Sequence, residues 1–325
     1  MGGFGRLFVL MVLDSSDASL KRAAEIILAG GIVALPTETV YGLAANALNA
    51  DAVRKIFEAK GRPFIDPLIA HVLDFEALEK IAVSNLSARR LYDAFCPGPI
   101  TFVLKKRDCV PGIVSAGKPT VAVRMPSHPV MRRFMAEVKV PLSAPSANPF
   151  GYVSPTKARH VEAQLGGKID AIIDGGSCEC GVESTIVMLV DEDRPMLLRP
   201  GPVPRDEIER VLGRALIDPK DKNPAHPTAP GMLKTHYSPK AKVVLFEGEC
   251  EFESGSARVF FKRPQNPRKG EFWLSESGDE REAARNLFDL LRNLDGSFST
   301  IYCQKLPDSG IGEAVNDRLG RAAAK

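Results

Sequence analysis

Apolar positions along the chain fall into short runs and helical stripes that alternate with one another. Leu20, Ala23, Ala24, Ile27 and Leu28 recur at helical spacing, with Asp17 as an N-cap and Gly30 as a stop. The run Ile32-Val33-Ala34-Leu35 follows directly and reads as a buried strand. Pro36 ends it, because proline has no N–H to give a ladder. Thr37, Glu38, Thr39 and Tyr41 stand at the strand's tip, and Gly42 closes their loop. The element expected next is a helix with Val53, Ile56 and Phe57 on one face, ending at Gly61 between Lys60 and Arg62. Further strands are expected at 67–72, 100–104, 120–124, 140–142, 169–173, 182–187 and 196–199. Helices are expected at 74–82, 85–95 and 128–138, from Ser154-Pro155-Thr156 onward, and at 204–212. A first strand at 7–13 completes this part.

Residues 218–239 break the pattern. They hold five prolines with few large apolar residues and no periodicity, the signature of a linker. His236 and Tyr237 within it are specific for a spacer. A second alternation follows, with strands at 242–246, 257–262, 272–274 and 299–303 and helices at 280–294 and 312–324. The stretch 248–256 leaves little room for a helix between the first two of these strands. The fold class is therefore α/β, divided as residues 1–215, a linker at 216–240, and a small domain at 241–325.

Composition narrows the function classes. With 44% hydrophobic and 26% charged residues the chain is an ordinary globular protein. Its formal charge of +3 provides no basic field that demands nucleic acid. The apolar run at 7–13 is too short to cross a bilayer, and acidic and serine residues follow it. The six cysteines are dispersed, which suits reduced thiols and a cytoplasmic location. Cys178 and Cys180 have no second pair to complete a zinc site, so no metal ligand is assigned to the protein.

Several polar residues sit at strand ends, where ligands are usually gripped. Lys60 and Arg62 would suit a phosphate chain, although cations also favour a helix C-terminus for its dipole alone. On the strand at 120–124, alternation puts small Ala122 beside Arg124, leaving room for a carboxylate or phosphate against the guanidinium fork. A surface ion pair is the other reading of that arginine. Ser143, Ser146 and Asn148 occupy a stiff loop between prolines, which is either a binding loop or a plain turn. A lone histidine on a strand, such as His71, is more often a satisfied core residue than a catalyst.

Nine motifs in order then carry a resemblance: PTETVYGL (36–43), KGRP (60–63), DPLIAHV (66–72), PGPITFVL (97–104), VAVRMP (121–126), SAPSAN (143–148), GVESTIV (181–187), LLRPG (198–201) and APGMLKTHYSP (229–239). Together they resemble the threonylcarbamoyl-AMP synthase family in its long form. The tail GIGEAVNDRLGRAA (310–323) is similar to that family's C-terminal end. The resemblance implies a YrdC-like twisted mixed sheet around a large concave cavity, followed by a linker and a small Rossmann-like α/β domain. It implies an enzyme that makes L-threonylcarbamoyladenylate and pyrophosphate from L-threonine, bicarbonate or carbon dioxide, and ATP with Mg²⁺. The product would be handed to the tRNA threonylcarbamoyl transferase machinery, with no direct tRNA binding and no membrane partner expected.

Residue by residue, the matches imply that Thr37, His71, Arg124 and Thr185 contact threonine. Lys60, Arg62 and Arg199 would face the ATP phosphates, with Lys60 and Arg62 offsetting transition-state charge. Ser143, Ser146 and Asn148 would bond the nucleotide or the carbamate, and Tyr237 would cover it from a mobile linker. Deleting the C-terminal domain but keeping the linker should then spare some activity. Glu38, Thr39 and Asp66 receive no role. A cationic groove for RNA and a nucleotide sensor without chemistry are the alternatives from other classes.

Overall fold

The computed structural model describes residues 10–219, 229 and 237–324. His236, most of the linker and the first residues of the expected opening strand lie outside the described residues. Eleven strands form one mixed sheet: β1 (Met11–Leu13), β2 (Val33–Leu35), β3 (Gly42–Asn46), β4 (Ile69–His71), β5 (Ala82–Val83), β6 (Ile100–Lys106), β7 (Thr120–Arg124), β8 (Leu142–Ser143), β9 (Ala171–Ile173), β10 (Thr185–Met188) and β11 (Met196–Arg199). Their spatial order is β1-β9-β2-β3-β8-β4-β7-β6-β10-β11, with β5 paired to β6. The helices are α1 (Asp17–Leu28), α2 (Ala50–Lys60), α3 (Phe75–Ile81), α4 (Leu86–Phe95), α5 (Gly112–Ser115), α6 (Pro129–Val138), α7 (Ala158–Leu165) and α8 (Arg205–Leu212).

Local chemistry sets these elements. Asn49 caps α2 by accepting from the N–H groups of Asp51 and Ala52, and Gly61 ends it at φ 63, which a glycine reaches without strain. In β2 every residue is buried, but alternate ones go to opposite faces. Val33 and Leu35 join α1 and α6, while Ala34 joins the core built with α2, α3, α4 and α8. The strand β3 corrects the sequence reading, in which a helix came directly after Gly42. Gly-Leu-Ala-Ala is buried on both faces and so shows no alternation, yet it pairs antiparallel with β2. The helix expected from Ser154 begins later, at Ala158.

The sheet's second face is covered by α1 and α6 over its β1–β8 half. Over the other half, Ile69, Val103, Ala122, Ile186 and Leu198 form a small apolar floor that Ala229 of the linker joins.

Four parallel strands form a second sheet in the order β12-β15-β13-β14: β12 (Lys242–Phe246), β13 (Ala257–Lys262), β14 (Glu271–Ser275) and β15 (Thr300–Gln304). No helix separates β12 from β13. Helices α9 (Glu280–Leu294) and α10 (Gly310–Ala323) pack on this sheet and also on the first unit, because Val40, Val153 and Val182 belong to their apolar cluster. Asp289 of α9 pairs with Lys157 at 2.7 Å and with His160 at 3.0 Å. Gly181 lies against the backbone of α9, where an added Cβ would stand 2.3 Å from the Cα of Arg285.

Candidate active site

Strand register lines up the site. His71 of β4 lies opposite Arg124 of β7, Arg124 opposite Thr101 of β6, Thr101 opposite Ile186 of β10, and Ile186 opposite Arg199 of β11. Residues paired this way project from the same face. Arg124 and Arg199 thus stand three strand spacings apart, about 14 Å, at the two ends of one trough. The floor of the trough is the apolar patch of Ile69, Val103, Ala122 and Ile186.

Arg124 is 4% exposed. Its Nη1 donates to the Thr39 hydroxyl at 2.9 Å, and Nη2 lies 2.8 Å from a Glu38 carboxylate oxygen. Its Nε has no hydrogen bond among the described residues. A buried donor without a partner costs about 1–3 kcal/mol, so an open Nε at a cavity wall marks a place where an acceptor belongs. Burial disfavours the charge of Glu38, but the guanidinium of Arg124 outweighs it and holds the carboxyl below its usual range. Beside them His71 is buried, and burial together with Arg124 lowers its imidazole to about 3. It is neutral at physiological pH, and its Nδ1 is also unbonded.

The second end is more heavily tied. Arg199 donates from Nε to the carbonyl of Ser184 at 3.1 Å and from Nη2 to its hydroxyl at 3.2 Å. Arg62 pairs with the fully buried Asp66 at 2.9 Å and donates to the Pro67 carbonyl at 2.9 Å. Burial pushes the Asp66 carboxyl up, against the pull of Arg62, Lys60 and Arg199. Glu183 stands close by, and Tyr237 holds a left-handed backbone at φ 60, uncommon for a non-glycine residue.

Arg62, His71, Arg124, Ser146, Arg199 and Tyr237, six of the residues singled out in the sequence, line one cavity with Thr39 and Glu183. Thr37, Lys60, Ser143, Asn148 and Thr185 do not line it. The Thr37 hydroxyl donates to the carbonyl of Val40 and accepts from the N–H groups of Thr39 and Val40, so it shapes the turn that presents Thr39. Lys60 donates to the carbonyls of Ser146 and Asn148, both at 2.5 Å, and so ties the serine loop to the end of α2. Burial, and then Arg62, push its ammonium well below the usual lysine range. Ser143 lies opposite Ala70 and shares that residue's face, away from His71. The amide nitrogen of Asn148 bonds the carbonyls of Pro149 and Tyr152. The Thr185 hydroxyl donates to the carbonyl of Val203 at 2.8 Å and accepts from its N–H at 3.0 Å.

The cavity measures about 40 Å³, room for one or two waters and far below the roughly 300–1,000 Å³ of ligand pockets. The sequence reading expected a large concavity, and this cavity is small. A bigger hollow of about 370 Å³, lined by Leu48, Val72, Ala77 and Met135, is mainly apolar and has no comparable set of buried polar groups. Size does not select the site; the buried polar groups do.

A family model described as "Telomere recombination", covering the Sua5, YciO and YrdC proteins, matches residues 25–201. A model described as "Threonylcarbamoyl-AMP synthase, C-terminal domain" matches residues 203–324. The threonylcarbamoyl-AMP synthase of Pyrococcus abyssi is 42% identical over 321 residues, covering 94% of each chain. The chain belongs to the threonylcarbamoyl-AMP synthase family. The family member from Bacillus subtilis is 40% identical over 330 residues, covering 96% of this chain and 94% of its own. Among solved structures, P. abyssi Sua5 complexed with L-threonine superposes with a TM-score of 0.89 at 39% identity over 97% of both chains. A variant of the same protein with a histidine and a tyrosine changed to alanine gives 0.90 at 38% identity, over 97% of this chain and 96% of that one. Membership covers both units of the fold, so the second sheet and its two helices belong to the family form.

Glu38, Thr39, Asp66 and Glu183 carry no role in the sequence reading. Glu38 and Asp66 had one signal available: each is an acid beside an apolar strand and finds a buried arginine. For Asp66 the partner is four residues away and was within reach of pattern reading. For Glu38 it is 86 residues away, and only the sheet brings it near.

Proposed function

We propose that the protein is an L-threonylcarbamoyladenylate synthase, forming threonylcarbamoyl-AMP and pyrophosphate from L-threonine, bicarbonate or carbon dioxide, and ATP. The observation that carries the proposal is the unbonded Nε of Arg124, beside neutral His71, at one end of a trough whose other end holds Arg62 and Arg199. A guanidinium whose Nε–H edge is open suits a carboxylate oxygen. The threonine carboxylate would take that edge, with Thr39 holding the fork from behind. The P. abyssi relative crystallised with L-threonine supports this choice of amino acid.

Chemistry then needs positioning more than an enzyme nucleophile. The neutral amine of threonine attacks carbon dioxide, loses a proton and becomes a carbamate. A carbamate oxygen attacks the α-phosphorus of ATP, and pyrophosphate leaves. Arg62 and Arg199 would offset charge that grows on the phosphates, and Lys60 would hold Ser146 toward them through its two carbonyl bonds. Mg²⁺ would neutralise phosphate charge when it arrives with ATP. Among the described residues no group of three His, Cys, Asp or Glu side chains could cage an ion.

A cavity of about 40 Å³ admits neither substrate. Residues 216–240 would therefore act as a lid carrying Tyr237 and Ala229, opening for entry and closing over the nucleotide. The adenylate would pass to enzymes that modify tRNA. The test is pyrophosphate release measured with each substrate omitted in turn. Release that depends on threonine, bicarbonate and ATP together supports the synthase. ATP binding without release identifies a sensor, and binding of RNA that weakens steeply with salt identifies a nucleic-acid module.

A further inference from the structure

Helix α10 carries a charge where its pattern asks for an apolar residue. Ile311, Val315 and Ala322 mark its buried stripe, and Arg318 falls on that stripe between Val315 and Ala322. Its side chain is fully buried. An isolated guanidinium there would be very costly, yet every nitrogen of this one donates. Nε donates to the Glu183 carboxylate at 2.8 Å and Nη2 to the Glu183 carbonyl at 3.2 Å. Nη1 donates to the carbonyl of Pro200 at 3.0 Å and to Asp317 at 2.8 Å. Its guanidinium carbon lies 5.4 Å from the centre of the Tyr237 ring, which also stacks on Phe288 of α9 at 5.5 Å.

Glu183 and Tyr237 line the cavity, and Pro200 directly follows Arg199, which lines it too. One side chain from the second unit therefore meets three pieces around the cavity: Glu183 and the chain beside Arg199 from the first unit, and Tyr237 from the linker. Burial opposes the charge of Glu183, but Arg318, then Arg199 and the Ser154 hydroxyl, hold the carboxyl below its usual range. Glu183 thus faces the proposed phosphate end of the trough as an anion, and Arg318 is its direct ion-pair partner.

We infer, on the reading of the cavity proposed above, that Arg318 is a positioning residue for nucleotide binding and that the second unit completes the site. Without Arg318 the Glu183 carboxylate loses its direct ion-pair partner and keeps only the Ser154 hydroxyl and the field of Arg199. It repels the triphosphate and draws Arg199 away from it. The Tyr237 ring loses its contact with the guanidinium. On this inference, deleting the second unit should abolish activity rather than spare some of it.

The test uses the full chain with Arg318→Met, Arg318→Lys, Glu183→Gln and the double variant Arg318→Met/Glu183→Gln. ATP and threonine affinities are measured separately by calorimetry, alongside pyrophosphate release and melting temperature. Arg318→Met should weaken ATP binding on the order of 100-fold, as expected when one partner of a buried ion pair is removed, while threonine affinity moves less than about threefold. Arg318→Lys keeps the charge without the fork and should lose roughly tenfold. The double variant should recover at least about tenfold of the loss, because the repelling charge is gone. Unchanged ATP affinity in Arg318→Met overturns the inference, as does a double variant no better than the single one. Loss of both affinities in proportion to the unfolded fraction overturns it too, since that is a purely structural role. If Arg318→Met does not fold, Arg318→Lys and the double variant decide alone by the same ATP-to-threonine contrast. A wild type that binds ATP but shows no threonine-dependent pyrophosphate release would sink the synthase reading instead, and the affinity series would still decide the role of Arg318.

Discussion

Arg124 and Arg318 are both buried, and each lies 2.8 Å from a glutamate, yet they differ in what they leave over. All three nitrogens of Arg318 donate, to a carboxylate, two carbonyls and a second acid. Arg124 has one hydroxyl and one ion pair, and its Nε stays open. The first sits where two packed units meet, and the second sits on the wall of a void. A saturated buried arginine fixes geometry, whereas an unsaturated one awaits an acceptor. Burial and charge alone do not distinguish them; the count of filled bonds does.

That contrast can be broken in order of expected effect. Arg124→Met should reduce threonine-dependent pyrophosphate release by about a thousandfold or more, through loss of the carboxylate grip. It also strands Glu38, so adding Glu38→Gln should restore melting temperature without restoring turnover. Recovered turnover in the double variant would mean that Arg124 serves only the fold. Arg62→Ala should cost turnover on the order of 100-fold. It should also destabilise the fold by about 3–5 kcal/mol, because buried Asp66 loses its partner. Arg62→Ala/Asp66→Asn should regain the stability alone, read by denaturant titration against turnover.

Acid acts through His71. Its imidazole is pushed down to about 3 in the folded protein from an ordinary value of 6.5. Between those values the unfolded chain binds the proton and the folded chain does not. Stability should therefore be intact above about 6.5 and fall below it, by about 1.4 kcal/mol per pH unit from this group. His71→Asn should flatten that slope in urea titrations at pH 6.5 and pH 4.5, and an unchanged slope assigns the acid sensitivity elsewhere. The smallest effect belongs to Thr39→Val, which removes one hydrogen bond to the guanidinium. A loss of about 1.5 kcal/mol predicts a rise of roughly tenfold in the threonine KM, with ATP affinity unaffected.

Much of this was legible before the structure. Helices α1, α2, α4, α6, α8 and α9 announce themselves by spacing and caps, and alternation puts small Ala122 and Arg124 on one face. Strand β3 was not legible, because burial on both faces erases alternation and Gly-Leu-Ala-Ala has little strand character. The site divides in the same way. That hydroxyls gather at the tip of β2 is visible in the chain. That Thr37 turns inward to Val40 while Thr39 meets Arg124 depends on turn geometry. The serine loop was readable as a loop, but not which serine faces the cavity, since that follows from the pairing of Ser143 with Ala70. Arg318 did leave a trace, as a lone charge on an apolar stripe whose partner lies 135 residues away.

Gly181 adds a different handle. Nothing but hydrogen stands between its backbone and that of α9, and its φ of 75 is itself left-handed. A single methyl there acts as a wedge, and larger side chains at the same point would be thicker shims. A graded series at one position could pry the two sheets apart by degrees, making the distance between wall and cover a quantity an experimenter sets.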